Sequence, residues 1–220
     1  MQARQTVLGC MAVMLIAGIS HGAVLMHTDS IPLQPTDWDE TLTFPKFDPA
    51  LGTLNKVKFT LTGGVEGTAQ YESLDSEPAT ITLDLSAEIE LQRPDLSTLL
   101  IALPVVQVVE NAAADDGTID FDGPAGSTFG GLQAAQMEMT TTTDAGDLAL
   151  FTGLGDIMLP VNASGASAGS GAGNLVLQFM TDAEASVKVE YGFTIIPTPA
   201  TLPMLMVAAL GLFRRTRQAV

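Results

Sequence analysis

The densest group of acidic side chains in the sequence lies between residues 115 and 123. Asp115 and Asp116 precede a glycine, and Asp120 and Asp122 follow shortly after. Calcium binds six to eight oxygen ligands, and two loops in this segment could supply several of them. The spacing does not match the twelve-residue loop of EF-hand proteins. The alternative is a solvated Asp-Gly turn that joins two strands, and we expect this turn rather than a calcium site.

A Gly-x-Ser-x-Gly pattern at residues 165–169 is the second candidate for chemistry. Ser167 would be the nucleophile of a hydrolase, which needs a strand-to-helix turn and, in this motif, a histidine base later in the chain. No histidine follows His27, and the residues around Ser167 are small. Acidic residues are abundant, yet no pair is marked out as the two carboxylates of a glycosidase. We therefore expect no enzymatic activity and assign no catalytic residue or cofactor.

Large aromatic side chains that could stack on sugar rings are scarce. Trp38, Tyr71 and Tyr191 are the one tryptophan and the two tyrosines of the chain. On the surface they would form a platform for a carbohydrate. A lone tryptophan is more often a core anchor, so both interpretations of Trp38 stay open.

The charge of the chain is strongly and unevenly acidic. It has 25 acidic against nine basic side chains, and the arginines Arg4, Arg214, Arg215 and Arg217 lie near the two ends. The body between them therefore carries all 25 acidic side chains. Such a surface repels phosphate backbones, so nucleic-acid binding is excluded, and the acidity favours solubility.

The first 22 residues have the layout of a signal peptide. Arg4 supplies a positive start, residues 7–19 form an apolar segment, and small residues precede a cleavage site after Gly22 or Ala23. The single cysteine, Cys10, falls inside this leader. We therefore expect a mature protein without disulfides or thiolate metal sites.

Strands dominate the periodicity of the body. Residues 81–91 alternate strictly between apolar and polar, which predicts a strand with one solvent-exposed face. A linker is expected at residues 23–33, followed by a domain at residues 34–195. Further strands are predicted at residues 57–62, 65–72, 105–109, 119–121, 148–151, 157–161, 175–179 and 187–195.

Two segments of the body leave room for more than one interpretation, whereas one glycine pair has a single interpretation. Gly63 and Gly64 are expected to end a strand, because paired glycines mark turns. Residues 95–103 suit a short helical turn or a loop, and residues 132–143 suit a strand or a helix. Many short strands without a long amphipathic helix predict an all-β fold, an antiparallel β-sandwich of the jelly-roll or immunoglobulin-like type.

The tail at residues 196–217 has three parts. Pro197, Thr198 and Pro199 precede an apolar run at residues 200–213, which is followed by the basic cluster Arg214, Arg215 and Arg217. At ~1.5 Å per residue the run is a short hydrophobic helix that reaches only ~21 Å of a ~30 Å hydrocarbon core. The arginines would hold the end of the tail on the cytoplasmic side. The alternative is a C-terminal helix docked on the domain.

This order of a proline pair, an apolar helix and arginines resembles the PEP-CTERM sorting signal of Gram-negative bacteria. The resemblance implies a tail that is recognised and cut by an exosortase, a membrane protease. The family has a glutamate between its prolines, whereas this chain has Thr198 there. The site residues that the resemblance implies are Pro197, Thr198, Pro199, Arg214, Arg215 and Arg217.

The body carries a second resemblance, to the choice-of-anchor E domain. The residues that carry it are at 37–38, 42–54, 117–121, 128–132 and 169–175, and they spread over most of residues 34–195. Proteins of that family share an exported body and differ in their C-terminal anchors. The family has no assigned biochemical activity, so the resemblance implies a location rather than a reaction.

Together these features predict an exported cell-surface or extracellular-matrix protein. It would be tethered transiently in the inner membrane and then delivered to the cell surface or the matrix. A structural or adhesive role with exopolysaccharide is the first expectation. A carbohydrate-binding module, with or without calcium, is the alternative, and a polysaccharide hydrolase is the third. The expected partners are the exosortase, the inner membrane and exopolysaccharide, with no nucleic acid.

Overall fold

A computed structural model describes residues 22–195 of the chain. The predicted signal helix and the predicted C-terminal helix therefore lie outside the described residues. The described residues form ten strands, one α-helix and one 3₁₀ turn. The strands are β1 (Gly22–Pro35), β2 (Trp38–Pro45), β3 (Gly52–Ser73), β4 (Ala79–Gln92), β5 (Thr98–Ala102), β6 (Val105–Ala112), β7 (Gly126–Thr142), β8 (Asp156–Gly165), β9 (Ala168–Ser170) and β10 (Leu175–Ile195). The helix α1 spans Ala145–Leu150, and the 3₁₀ turn spans Pro49–Leu51.

The strands form two sheets that face each other. Sheet A has the order β1-β10-β3-β7, and sheet B has the order β2-β8-β4-β5. The short strands β6 and β9 extend sheet B by pairing with the first half of β4. All of these strand pairings are antiparallel. Eight strands that pass between two sheets in this order form a jelly roll, which confirms the all-β sandwich and selects one of its two predicted types.

The alternation at residues 81–91 forms strand β4, as predicted. Its apolar side chains Ile81, Leu83, Leu85, Ile89 and Leu91 are at most 1% exposed. The polar residues between them face away from sheet A or toward solvent. A side-chain period of two therefore gives this strand one buried and one wetter face.

The main core fills the space between the sheets. Sheet A contributes Phe59 and Val187, and sheet B contributes Phe44, Ile89 and Leu159, all within one buried cluster. A second buried cluster lies at the other end of the long strands and includes Tyr71 and Ile81. Burying each such side chain stabilises the fold by about 1.5–3 kcal/mol, so these two clusters hold the sheets together.

Tyr191 fixes one end of the sandwich. Its side chain is fully buried, and its hydroxyl donates a hydrogen bond to the carbonyl of Pro45 at 2.8 Å. Its ring packs near Phe47 and Phe151, with ring centroids 6.1 and 6.5 Å away. Burial raises the pKa of Tyr191 well above its usual range. The last strand is therefore tied to the end of β2 by both packing and a hydrogen bond.

The prediction of a linker at residues 23–33 is wrong. These residues belong to β1, which pairs with β10 from Gly22 opposite Thr194 to Pro35 opposite Asp182. Because β1 is an edge strand, most of its side chains stay partly exposed and several are polar. The sandwich thus begins about twelve residues earlier than the predicted boundary at residue 34.

Gly63 and Gly64 do not end a strand. They lie in the middle of β3, which runs unbroken over 22 residues. A Cβ atom on Gly63 would lie 2.6 Å from the Cδ1 of Ile89 in sheet B, so the glycine permits a close approach of the two sheets. The predicted strands at residues 175–179 and 187–195 likewise form one strand, β10.

Four other local predictions have different outcomes. The strand predicted at residues 148–151 is wrong, because residues 148–150 are the end of α1. This helix begins after Asp144, whose carboxylate accepts hydrogen bonds from the amides of Gly146 and Asp147. Residues 119–121 form no strand, and residues 98–102 form β5 instead of a helical turn or a loop. Residues 132–142 are a strand, which confirms that alternative over a helix.

Candidate functional site

The four aspartates of the acidic loop do not converge. Asp115, Asp116, Asp120 and Asp122 are all exposed, and each carboxylate accepts a hydrogen bond from a backbone amide one or two residues ahead. Within residues 22–195, no three histidine, cysteine, aspartate or glutamate side chains are grouped closely enough to hold a metal ion. The hydrogen bond from Thr118 lowers the pKa of Asp116. The segment is thus a solvated loop between β6 and β7, and its four carboxylates bind backbone amides of the loop itself.

The carboxylate that organises this loop is Glu72, which the sequence did not single out. Glu72 lies near the end of β3 and has no exposed surface. Its Oε2 atom accepts a hydrogen bond from the amide of Phe121 at 2.7 Å, and its Oε1 atom has no partner within the described residues. Gly126 makes room for it, because a Cβ atom there would lie 2.1 Å from Oε2. Glu72 therefore anchors the loop to sheet A.

Ser167 is part of a structural contact rather than a nucleophile elbow. It lies between β8 and β9 and not at a strand-to-helix turn. The amide of Ser86 donates to the Ser167 hydroxyl at 3.0 Å, and the Thr181 hydroxyl lies 3.1 Å from it. These contacts hold the β8–β9 connection against β4 and β10. The geometry of Ser167 thus supplies none of the features that the motif needs.

The three aromatic residues considered for sugar stacking are buried. Trp38 is 8% exposed, and its indole N–H donates to the carbonyl of Ala183 at 3.3 Å. Tyr71 and Tyr191 are at most 1% exposed. The interpretation of Trp38 as a core anchor is confirmed, and none of the three can form a surface platform.

The sequence-predicted sorting residues fall mostly outside the described part of the chain. Residues 197–199 and the tail arginines are not among residues 22–195. Of the two candidate cleavage residues, Gly22 pairs with Thr194 and Ala23 with Phe193 at the start of β1. Within residues 22–195, no helix has the length and apolar character needed to cross a bilayer.

The outward side of sheet A carries three of the five lysine and arginine side chains found within residues 22–195. Three lysines, Lys56, Lys58 and Lys188, lie at one end of this surface. The Oε2 atom of Glu190 lies 3.2 Å from the Lys58 ammonium and 3.7 Å from the Lys188 ammonium. The register of β10 with β3 places Lys188 beside Thr60 and Glu190 beside Lys58. The alternation within each strand predicts that these lysines and Glu190 face the same side of the sheet. Their proximity depends on the register of β10 with β3, which the sequence does not show.

The opposite end of the same surface is acidic. Glu184 pairs in register with Gly64, and Asp182 pairs with Glu66. A depression of ≈ 230 Å³ lies there, lined in part by Gly64, Glu66, Ala135 and Glu184. A second depression of ≈ 250 Å³ lies nearer the lysines. The outward side of sheet A is therefore a polarised surface, positive toward one end and negative toward the other.

No protein-family description and no curated protein matches the sequence. The chain is similar to capsid chains of infectious bursal disease virus among solved structures. One, from the Gx strain, is 12% identical with a TM-score of 0.21, and the alignment covers 97% of this chain and 54% of that one. Another, from the VP2 subviral particle, is 13% identical with a TM-score of 0.24 and coverages of 91% and 50%. The chain spans about half the length of these capsid chains. At such scores the likeness adds nothing to the fold, which is assigned from the strand order.

Proposed function

We propose that this chain is an exported cell-surface or extracellular-matrix protein of a Gram-negative bacterium, with a structural or adhesive role in association with exopolysaccharide. An exosortase would cut its tail after transient tethering in the inner membrane. One observation carries the proposal: the last strand of the sandwich, β10, ends at Ile195, two residues before Pro197. A cut near Pro197 would therefore remove no strand and no core residue of the jelly roll.

The described surface supports a structural or adhesive role over a catalytic one. The serine motif is occupied by structural hydrogen bonds, and the acidic loop is anchored by Glu72. The aromatic residues that a stacking carbohydrate-binding module would use are buried in the core. Strong acidity keeps such a protein soluble after release.

The experiment is mass spectrometry of both ends of the mature protein, purified from the host that makes it. We expect an N-terminus at Ala23 or Val24 and a C-terminus at or near Pro197. A mature protein that still ends in Val220 would contradict the sorting proposal. Deleting the exosortase of the host should leave the tail in place.

A pair of proline variants gives a matched comparison. Replacing Pro197 and Pro199 by alanine should block cutting, because it changes the part of the tail that resembles the sorting signal. Replacing Pro32 and Pro35 of β1 by alanine makes the same chemical change inside the edge strand. Equal processing of the two double variants would show that the exosortase does not recognise the tail prolines. Binding of the processed protein to the exopolysaccharide of the host, measured by co-sedimentation, tests the second half of the proposal.

A further inference from the structure

The outward side of sheet A carries exposed apolar side chains on three of its four strands. Val24, Met26, Met137, Met139 and Met180 are each 57–60% exposed, and all five point outward from the strands of this sheet. Methionine adapts its shape readily and is enriched at protein interfaces. Four of the five lie on the edge strands β1 and β7, on either side of the charged central strands β10 and β3.

The charges on this surface are arranged symmetrically about one row. Ser30, Ser186, Thr62 and Met137 lie side by side across the four strands. On β3, Lys58 and Glu66 stand four residues to either side of Thr62. On β10, Lys188 and Glu184 stand two residues to either side of Ser186. Opposite charges therefore lie at equal distances from the row on both central strands.

We propose that the outward side of sheet A binds the same surface of a second copy of this chain. The two copies are related by a twofold axis that runs along the row of Ser30, Ser186, Thr62 and Met137. Such a rotation reverses the strand direction and keeps each strand over its equivalent. It brings Lys58 over Glu66 of the second copy and Lys188 over Glu184 of the second copy. The contact is isologous, so each of these pairs occurs twice.

The shapes of the two surfaces match under the same rotation. On β7, Met139 and Ala135 stand two residues to either side of Met137, so the large side chain of one copy meets the small one of the other. On β3, Thr60 is placed over Gly64 in the same way. Ala135 and Gly64 line the ≈ 230 Å³ depression, which gives Met139 of the second copy a place to enter.

The proposed contact would also cover one buried polar atom and bring one pair of like charges together. Thr60 is 6% exposed, and its hydroxyl has no partner within residues 22–195. It lines the second depression, which the second copy would cover. Glu190 and Asp182 are also symmetric about Ser186 and would face each other. Glu190 is already paired with Lys58 and Lys188, which offsets this repulsion.

The area is sufficient for a specific dimer. All four strands run side by side along β10 from Asp182 to Tyr191. Four strands at about 4.8 Å and ten residues at about 3.3 Å give a patch of about 630 Å² on each copy. The total of about 1,250 Å² falls at the lower end of the range for specific protein interfaces. A weak, concentration-dependent dimer is therefore expected.

Salt distinguishes a second copy from an acidic polymer held by the lysines. The rest of the molecule is acidic, so two copies repel each other over long distances, and salt screens this repulsion. The contacts within the interface are short and partly apolar. Self-association should strengthen between 0.05 and about 0.5 M salt, given a Debye length of about 10 Å at 0.1 M. Binding of a polyanion to the lysines would instead weaken over the same range.

Crosslinking of the full chain in intact host cells is the first test. In a Cys10→Ser background, Met137→Cys places a thiol beside the proposed axis. The control is Met158→Cys, which makes the same change on β8 of sheet B at a residue that is 64% exposed. A short bismaleimide is used because packed sheets lie about 10 Å apart. We expect at least about tenfold more dimer from Met137→Cys than from Met158→Cys; equal yields would overturn the proposal.

Charge reversal is the second test, measured by sedimentation equilibrium on the mature protein. Lys58→Glu and Glu66→Lys each place like charges at both symmetry-related pairs, so each should weaken dimerisation at least about tenfold. The double variant restores opposite charges and should return the Kd to within about threefold of the wild type. A wild type that stays monomeric at millimolar concentration, a double variant as weak as the single ones, or association that weakens with salt would each contradict the proposal.

Discussion

Replacing Gly126 by alanine should release the acidic loop from sheet A. The new Cβ would lie 2.1 Å from Oε2 and 2.7 Å from Cδ of Glu72, so the buried carboxylate has to move off the amide of Phe121. A hydrogen bond to a charged acceptor contributes about 1.5–3 kcal/mol. Alanine offsets about 0.4–1 kcal/mol of this loss by restricting the unfolded chain. We expect a net loss of about 1–2 kcal/mol in the free energy of unfolding.

The assay is urea unfolding of the mature protein at neutral pH, with amide exchange of Phe121 as a local readout. The control is Gly130→Ala on the same strand, where the nearest atom to a new Cβ is the Thr68 hydroxyl at 3.9 Å. That change should be neutral or stabilising by less than about 1 kcal/mol. In a Glu72→Ala background, Gly126→Ala should lower the free energy of unfolding only slightly further, because the carboxylate that it displaces is already absent. If Gly126→Ala is no more destabilising than Gly130→Ala, Glu72 does not hold the loop.

Two further predictions concern the ends of the sandwich. Tyr191→Phe removes the hydrogen bond to the Pro45 carbonyl and should cost about 1 kcal/mol of unfolding free energy by urea titration, whereas no measurable loss would mean that water replaces the hydroxyl. Arg93 donates to both carboxylate oxygens of Asp147 at 2.9 and 3.1 Å, and this contact lowers the pKa of Asp147. A carboxyl whose pKa is lower in the folded state contributes stability above its unfolded pKa of about 3.9, and this contribution is lost as pH falls through the folded pKa. The difference in unfolding free energy between wild type and Arg93→Ala should therefore be about 1 kcal/mol at pH 7 and shrink below about pH 4; a difference that is constant with pH would contradict this origin.

How far the sequence predicts the fold depends on where each strand lies. Strand β4 has neighbours on both sides and a core on one face, so its apolar residues alternate cleanly and the prediction holds. Strand β1 lies at an edge, and its inward positions include His27 and Asp29, so no apolar period of two is present. Gly63 and Gly64 look like a turn in the sequence, but Gly63 lets Ile89 of sheet B approach and Gly64 makes room for the side chain of Glu184. These contacts depend on how the strands and sheets pack, so the sequence around the two glycines does not predict them.

The same limit applies to the candidate surface. Lys58 and Glu66 are close in sequence, but a strand break at the two glycines would have separated them onto different strands. The row that relates them to Ser186 and Met137 requires the register of β3 with β10 and with β7. These registers join Thr62 to residues 124 and 75 positions away in the sequence. The sequence therefore shows which charged side chains are present, but it does not predict their symmetric arrangement on the sheet.

The two proposals, taken together, imply an order of events. The proposed axis makes the β10 strands of two copies antiparallel. Ile195 lies nine residues beyond Ser186, about 30 Å from the axis, so the two chain ends would point away from each other. Two copies that are anchored by their tails in one membrane would have parallel β10 strands. They could not form the twofold contact, because that contact needs antiparallel β10 strands. The outward side of sheet A uses no residue beyond β10, so cutting near Pro197 removes none of it. Release of the tail would therefore be the step that permits self-association, which keeps the tethered form monomeric until it has left the membrane.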